Sequence, residues 1–138
     1  MPRLDLYHET VRRALEKDGW RVTNDPYTIE FEDLRVFADL GAEKIFAAER
    51  EGRKIVVEVK VFGSVSLVND FEKALGQYNL YRSLLKLTDA ERELFLAVTE
   101  EIYERFFRRG SIQAVIADQQ IKLFVFAPER EEILQWIS

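Results

Sequence analysis

Residues 53–62 (RKIVVEVKVF) are rich in β-branched residues, and polar and apolar residues alternate from Val57 to Val61, which is the pattern of a β-strand. Because successive side chains of a strand point to opposite faces, these residues form two sets. One face carries Ile55, Val57, Val59 and Val61, and the other carries Val56, Glu58, Lys60 and Phe62. The first set is wholly β-branched, which predicts that this face packs in the core. The preceding run 45–49 (IFAAE) predicts a hairpin around residues 50–52.

Two helices are predicted on either side of these strands. Apolar residues recur at helical spacing from about Asp5 to Lys17, and Gly19 then supplies a stop signal. A second, longer helix is expected to begin at a cap on Ser64 or Ser66 and to end near Leu87.

The remaining segments predict shorter elements. An extended stretch after Gly19 leads to a turn at Asp25-Pro26 and to strands at 28–31 (TIEF) and 34–42 (LRVFADLGA). After the second helix come a strand at 94–98, helical segments at 100–107 and 111–117, a last strand at 122–126, and a C-terminal helix from Pro128 to Trp136. This order predicts an α/β fold in which a mixed β-sheet has helices on both faces.

No repeat, low-complexity tract or linker divides the 138 residues, which predicts a single domain over 1–138. The absence of cysteine excludes disulfides and thiolate metal sites. No apolar run approaches the ~18 residues of a membrane span, and the N-terminal segment is too charged for a signal peptide. A cytoplasmic protein with no membrane segment is therefore expected.

The charge balance is acidic, with 25 Asp and Glu against 20 Lys and Arg, a formal net charge of −5, and a pI of about 5.1. Affinity for phosphate comes mainly from Lys and Arg, so this balance opposes tight sequence-independent binding to DNA. A site that acts on DNA would need a local basic rim, a metal ion or a partner.

Three residues on the predicted strands suggest chemistry. Asp39 lies late in the 34–42 strand, and Glu58 and Lys60, two residues apart, share a face of the later strand. If the two strands pair as neighbours, the two carboxylates meet and suit a hard cation such as Mg²⁺ or Mn²⁺. Such an ion activates water and polarises a phosphodiester. Lys60 would then lie near the developing negative charge and orient the water.

A simpler interpretation is that Glu58 and Lys60 face solvent on an ordinary strand, because the E-x-K pattern is common in antiparallel sheets. Three features favour a site. The opposite face of the strand is fully apolar, the hydrophobic run 36–38 leads directly to Asp39, and a long helix follows Lys60 after a short loop.

Other polar residues are weaker candidates. Gln77 and Tyr81 share one face of the second helix and could contact a phosphate or a catalytic carboxylate, or they could be a solvated Gln and a packed Tyr. Glu9 could be a third metal ligand, although its spacing places it on a solvated polar face with Arg12 and Arg13. His8 lies nearer the apolar stripe and fits a structural role better than a catalytic one.

Two small charged groups complete the candidates. Glu43 and Lys44 follow Asp39 and could fall beside the site or in the bend after it. Arg105, Arg108 and Arg109 form a basic cluster that fits cations at a helix C-terminus better than a phosphate contact.

Segments along nearly the whole chain resemble the XisH family, the fdxN-element excision controlling factors. The resemblance rests on ETVRRALEKDGW, ADLGAEK, GRKIVVEVK, NDFEKALGQYNLYR and FAPEREEILQWI. The family is similar to the PD-(D/E)xK nucleases, which implies a restriction-endonuclease-like fold. By that resemblance Asp39 and Glu58 are the acidic pair, Lys60 is the lysine, and the glutamate of the first helix falls on Glu9. The motif's proline is replaced by Ala38.

The resemblance also implies that Gln77 and Tyr81 form a Q-x-x-x-Y helix element. It implies a role in programmed excision of a DNA element, beside a site-specific recombinase and a small companion protein called XisI. Two readings follow: a metal-dependent DNA endonuclease, or a non-catalytic platform that binds the recombinase, the companion protein or DNA. In the second reading the aromatic residues Phe106, Phe107 and Trp136 are expected to be exposed at a protein interface. A plain homodimer module is a third alternative.

Overall fold

The computed structural model describes residues 3–36 and 45–138. Its helical segments are α1 (Arg3–Lys17), α2 (Leu67–Thr88), α3 (Glu100–Ile102), a π-helix (Tyr103–Phe107) and α4 (Gly110–Gln119). Its strands are β1 (Arg21–Asn24), β2 (Ile29–Phe31), β3 (Leu34–Val36), β4 (Ile45–Arg50), β5 (Arg53–Val59), β6 (Arg92–Thr99), β7 (Leu123–Ala127) and β8 (Glu132–Ile137).

Six strands form a mixed sheet in the order β1-β4-β5-β6-β7-β8. The β5–β6 and β6–β7 pairs are parallel, and the other pairs of this sheet are antiparallel. Strands β2 and β3 form a separate two-stranded antiparallel sheet. The architecture is a restriction-endonuclease-like α/β fold, which confirms the predicted mixed sheet.

Each face of the large sheet packs against helices. Val11 and Leu15 of α1 pack with Ile55 and Val57 on one face. On the other face, α2, the π-helix and α4 cover Val56 and the inward side chains of β6 and β7. Central strands of a sheet with parallel pairing are buried on both faces, so the second face of β5 is as enclosed as the first.

Local signals fix the ends of several elements. Gly19, which follows α1, adopts a φ of 95°, a conformation that a residue with a Cβ rarely takes. Gly52 in the β4–β5 hairpin also adopts a positive φ, of 83°. Ser66 caps α2, because its side chain accepts a hydrogen bond from the Asn69 N–H at 3.1 Å. The predicted hairpin and the cap are thereby confirmed.

The C-terminal segment is a strand, so the prediction of a helix from Pro128 to Trp136 was wrong. Glu132–Ile137 pairs antiparallel with β7 as an edge strand, and the 122–126 strand is not the last one. The apolar residues of this segment fit a helical stripe and a strand almost equally well. Pairing with β7 favours the strand. The packing of Trp136 on Phe124 and Phe95, at centroid distances of 4.8 and 5.0 Å, favours it as well.

Two further expectations about placement were wrong. Phe106 and Phe107 are fully buried, because Phe62 and Phe71 pack against both rings. They therefore form no exposed interface. The described part of the 34–42 strand pairs with β2 and is not a neighbour of β5, whose neighbours are β4 and β6. None of the helices in residues 3–36 and 45–138 has the length and apolar character of a membrane span.

Candidate active site at Glu58 and Lys60

Glu58 lies near the carboxyl end of β5, in the centre of the large sheet. Its neighbours across the sheet are Ile45 of β4 and Leu96 of β6. Lys60 directly follows the strand, and its backbone N–H donates to the Ala97 carbonyl at 3.1 Å. The alternation of β5 turns both side chains toward the face covered by α2.

Both side chains are almost fully removed from solvent. Glu58 is 0% exposed and Lys60 is 7% exposed. Among the described residues they are the two buried residues that carry a formal charge, the other buried polar residues being Thr10 and Thr99. This burial contradicts the alternative of an ordinary strand with a solvated Glu and Lys.

Helix α2 supplies the groups that face this pair. The Lys60 ammonium donates to Gln77 Oε1 at 2.8 Å, which connects the strand to the middle of the helix. Tyr81 lies one turn further along α2 and is buried in the same apolar cluster as Val56. The structure thus brings Lys60 and Gln77 into contact, and it excludes a freely solvated Gln77.

The sequence did not reveal the hydrogen bonds of Tyr78, because the position of this residue fits the apolar stripe of α2. Its hydroxyl donates to the Leu94 carbonyl at 2.9 Å and accepts from the Lys122 N–H at 3.0 Å. Burial is the main cause that raises the pKa of Tyr78, and the negative charge of Glu58 also raises it. The hydrogen bond from Lys122 opposes this shift.

The first helix lies on the other face of the sheet. Val11 and Leu15 pack on the side of Ile55 and Val57, opposite to Glu58. Glu9 is exposed on this helix, as its spacing with Arg12 and Arg13 predicted. Its role as a metal ligand stays a prediction.

His8 forms part of a surface network at the same helix. Its Nε2 atom lies 2.7 Å from Asp25 Oδ1, and Arg12 donates to the other oxygen of Asp25 at 2.8 Å. This network ties α1 to the turn before β2, so the geometry of His8 fits a structural role.

Glu58 is the described residue on which the predicted metal site depends. Glu58 offers carboxylate oxygens, the ligand type that Mg²⁺ and Mn²⁺ prefer. Within residues 3–36 and 45–138, no group of three or more His, Cys, Asp or Glu side chains is arranged to hold a metal ion. Asp39, the predicted second ligand, lies outside these residues.

A sequence model of the XisH protein family matches residues 1–134. The chain belongs to the XisH family. A crystal structure of an XisH family protein from Nostoc punctiforme is 42% identical, with a TM-score of 0.88, and covers 96% of this chain and 99% of its own.

A second crystal structure gives the same picture for this XisH family chain. It is a fdxN element excision controlling factor protein from Anabaena variabilis, 41% identical, with a TM-score of 0.89. The match covers 97% of this chain and 99% of that protein. A comparison with curated protein sequences finds no match.

Asp39, Glu43 and Lys44 lie outside the residues that the structure describes in this XisH family chain. Ile45, the first described residue after this segment, is the direct partner of Glu58 across the sheet. The convergence of Asp39 and Glu58 stays a prediction.

The two hydrogen bonds of the Tyr78 hydroxyl predict that Tyr78→Phe measurably lowers the stability of the protein. The substitution removes the hydroxyl and leaves the Leu94 carbonyl and the Lys122 N–H unsatisfied in a buried place. We expect the free energy of unfolding to fall by about 1–3 kcal/mol in urea denaturation. Tyr103→Phe is the control, because Tyr103 is also buried but makes no hydrogen bond through its hydroxyl within the described part of the chain. Equal effects of both substitutions would contradict this assignment.

Proposed function

We propose that this chain controls the excision of a DNA element and that Glu58 and Lys60 belong to a PD-(D/E)xK-type site for phosphodiester hydrolysis. Membership of the XisH family and the name of the Anabaena relative support the excision role. The observation that carries the enzymatic part is the buried Glu58 and Lys60 on a central strand, with Lys60 held by Gln77.

The energetics of burial favour a functional reason for these charges. Removing a carboxylate and an ammonium from water costs several kcal/mol per ion, and hydrophobic residues of similar volume would often stabilise a core more. Every other side chain of β5 from Ile55 to Val59 is a buried apolar residue. A Glu and a Lys at these places oppose stability, and charged groups of this kind concentrate at functional sites.

Glu58 and the predicted Asp39 would hold a Mg²⁺ or Mn²⁺ ion. When bound, such an ion polarises a phosphodiester and lowers the pKa of its bound water. Gln77 fixes the position of the Lys60 ammonium, which can stabilise negative charge on the phosphate and orient a water molecule. Tyr81 supports the same wall of the site from α2. DNA is the proposed substrate.

A cleavage assay tests this proposal. Purified protein is expected to nick plasmid, duplex or branched DNA in Mg²⁺ or Mn²⁺, and excess EDTA should stop the reaction. A preparation that nicks none of these DNAs over a range of either metal would contradict the enzymatic proposal.

A non-catalytic platform is the second candidate, and the same burial favours it. A DNA phosphate can reach Glu58, which is 0% exposed, only if the groups that cover it are displaced. The net charge of −5 also disfavours an isolated DNA enzyme. In this reading the fold binds a site-specific recombinase, a XisI-type companion protein or DNA, alone or as a homodimer.

Two measurements separate the candidates. Calorimetry with Mg²⁺ reports binding to the site, and an excision assay with Asp39→Asn reports whether the predicted ligand is needed. Absence of Mg²⁺ binding, together with normal excision by the variant, would support the platform. Binding of Mg²⁺ and loss of excision would support the nuclease.

A further inference from the structure

We propose that Arg105 and Arg109 form a phosphate-binding corner that contacts the backbone of duplex DNA beside Glu58 and Lys60. The choice of DNA rests on the proposed function. The corner consists of the π-helix, the first turn of α4 and the exposed side chains of these two arginines.

The first observation is the pairing of arginines. Most described arginine side chains contact a carboxylate or a backbone carbonyl, as Arg12, Arg13, Arg21, Arg50, Arg53, Arg82, Arg92, Arg108 and Arg130 do. Within residues 3–36 and 45–138, Arg105 and Arg109 have no such partner. The chain has more carboxylates than cations, so two exposed arginines four residues apart that lack an anionic partner stand out among the described arginines.

The second observation is the place of Arg109 between two helical segments. Cations are favourable at the C-terminus of a helix, which accounts for Arg108 after the π-helix. Arg109, however, is the N-cap residue of α4, where a positive charge is unfavourable. This N-terminus has no side-chain cap and no acidic residue in its first turn. Stabilisation of a helix end therefore accounts for Arg105, which lies in the last turn of the π-helix. It does not account for Arg109, whose charge an external anion would compensate.

Aromatic packing orders Arg109. The Arg109 guanidinium carbon lies 5.1 Å from the centroid of the buried Phe106 ring, a cation–π distance. Arg108 beside it lies over Tyr103 at 5.5 Å and pairs with Glu104 at 3.0 Å, so its charge is already compensated. A guanidinium that is held in place loses less conformational entropy when it binds a phosphate.

Buried aromatic rings connect the corner with the candidate active site through the core. Phe106 contacts Phe62 at a centroid distance of 6.1 Å, and Phe62 follows Lys60 by two residues. Phe71 of α2 also packs on Phe106, and it precedes Gln77 by six residues, or roughly 9 Å of helix. One turn of B-DNA extends about 34 Å, so a single duplex can span both places.

The chemistry favours phosphate over the carboxylates of an acidic protein. A guanidinium presents donors in a fork that matches two oxygens of a phosphate. Gly110 and Ser111 in the first turn of α4 are exposed and directly follow Arg109, so their N–H groups add donors of the kind that bind phosphates. An acidic protein partner is a separate outcome of the test below.

The test is the salt dependence of DNA binding, measured by fluorescence anisotropy with a labelled 30-bp duplex in EDTA. We expect Arg105→Gln/Arg109→Gln to reduce the slope of log K against log salt by about 2, since each phosphate contact contributes ~0.9. Affinity near 0.1 M salt should fall on the order of tenfold or more. Arg105→Lys/Arg109→Lys keeps the charge and should retain most of the slope.

Arg21→Gln/Arg130→Gln is the matched control, because both side chains are exposed, at 75% and 55%. Each double variant changes the formal net charge from −5 to −7, so long-range repulsion of DNA is equal. The control should keep the wild-type slope. Equal slopes in the two Gln variants, or no binding of DNA by the wild type, would overturn the proposal. The proposal would also be overturned if Arg105 and Arg109 were needed for binding to polyglutamate but not for binding to DNA.

Binding in EDTA does not need a metal or an active Lys60. Failure of the corner and failure of the nuclease are therefore distinguishable. Normal binding with no cleavage by the wild type contradicts only the enzymatic proposal. Cleavage by the wild type with unchanged binding in the corner variant contradicts only the corner.

Discussion

Replacement of Lys60 by alanine is expected to reduce metal-dependent DNA nicking by at least about a hundredfold, the loss typical when one preorganised group that stabilises charge is removed. The ammonium donates to Gln77 at 2.8 Å and lies on the same face of the sheet as Glu58, which fixes the position of this positive charge. Asp39→Ala should have a similar effect if Asp39 is the second ligand. Initial rates on supercoiled plasmid in Mn²⁺ measure both variants.

Lys73→Ala is the matched control for Lys60→Ala, because Lys73 is an exposed lysine on α2. It should nick DNA at the wild-type rate. Lys60→Met keeps the volume of the side chain and separates loss of the charge from loss of packing, provided that thermal melting shows a folded protein. Nicking that persists in both Lys60→Ala and Asp39→Ala would point to a contaminating nuclease and would remove the hypothesis.

A large loss of stability is expected for Phe106→Ala. The ring is fully buried and packs on Phe62, Phe71 and Phe107 at centroid distances of 6.1, 5.5 and 5.7 Å. Truncation removes these contacts and leaves a cavity between α2 and the π-helix. We expect the free energy of unfolding to fall by about 3–5 kcal/mol in urea denaturation.

Val65→Ala provides the comparison, because Val65 is a fully exposed apolar side chain in the loop before α2. Its effect should stay within about 0.5 kcal/mol, as for most surface substitutions. A loss below ~1 kcal/mol in Phe106→Ala would show that the aromatic cluster is not packed as described.

Local sequence signals were enough for the elements that position the site. The alternation within residues 53–62 predicted the two faces of β5, and a cap on Ser64 or Ser66 predicted the start of α2, which the structure places after Ser66. These signals act between residues that are close in the chain. The sequence suggested that Lys60 and α2 line one cleft. The hydrogen bond between Lys60 and Gln77 was seen only in the structure.

The remaining features depend on contacts between distant residues. The segment from Glu132 to Ile137 fits a helix or a strand locally, and pairing with β7 decides between them. Phe106 and Phe107 lie among charged residues in the sequence, and only packing by Phe62 and Phe71 removes them from solvent. The double hydrogen bond of Tyr78 was missed for the same reason, because its partners lie in β6 and before β7.

An anomalous diffraction experiment on crystals soaked in Mn²⁺ tests the metal site at Glu58. We expect a strong anomalous peak at coordination distance from a carboxylate oxygen of Glu58, with Asp39 as a second ligand, and we expect no peak in Glu58→Gln. If Glu58 contacts only protein groups in crystals soaked at saturating Mn²⁺, that result would contradict a metal-dependent site on this strand.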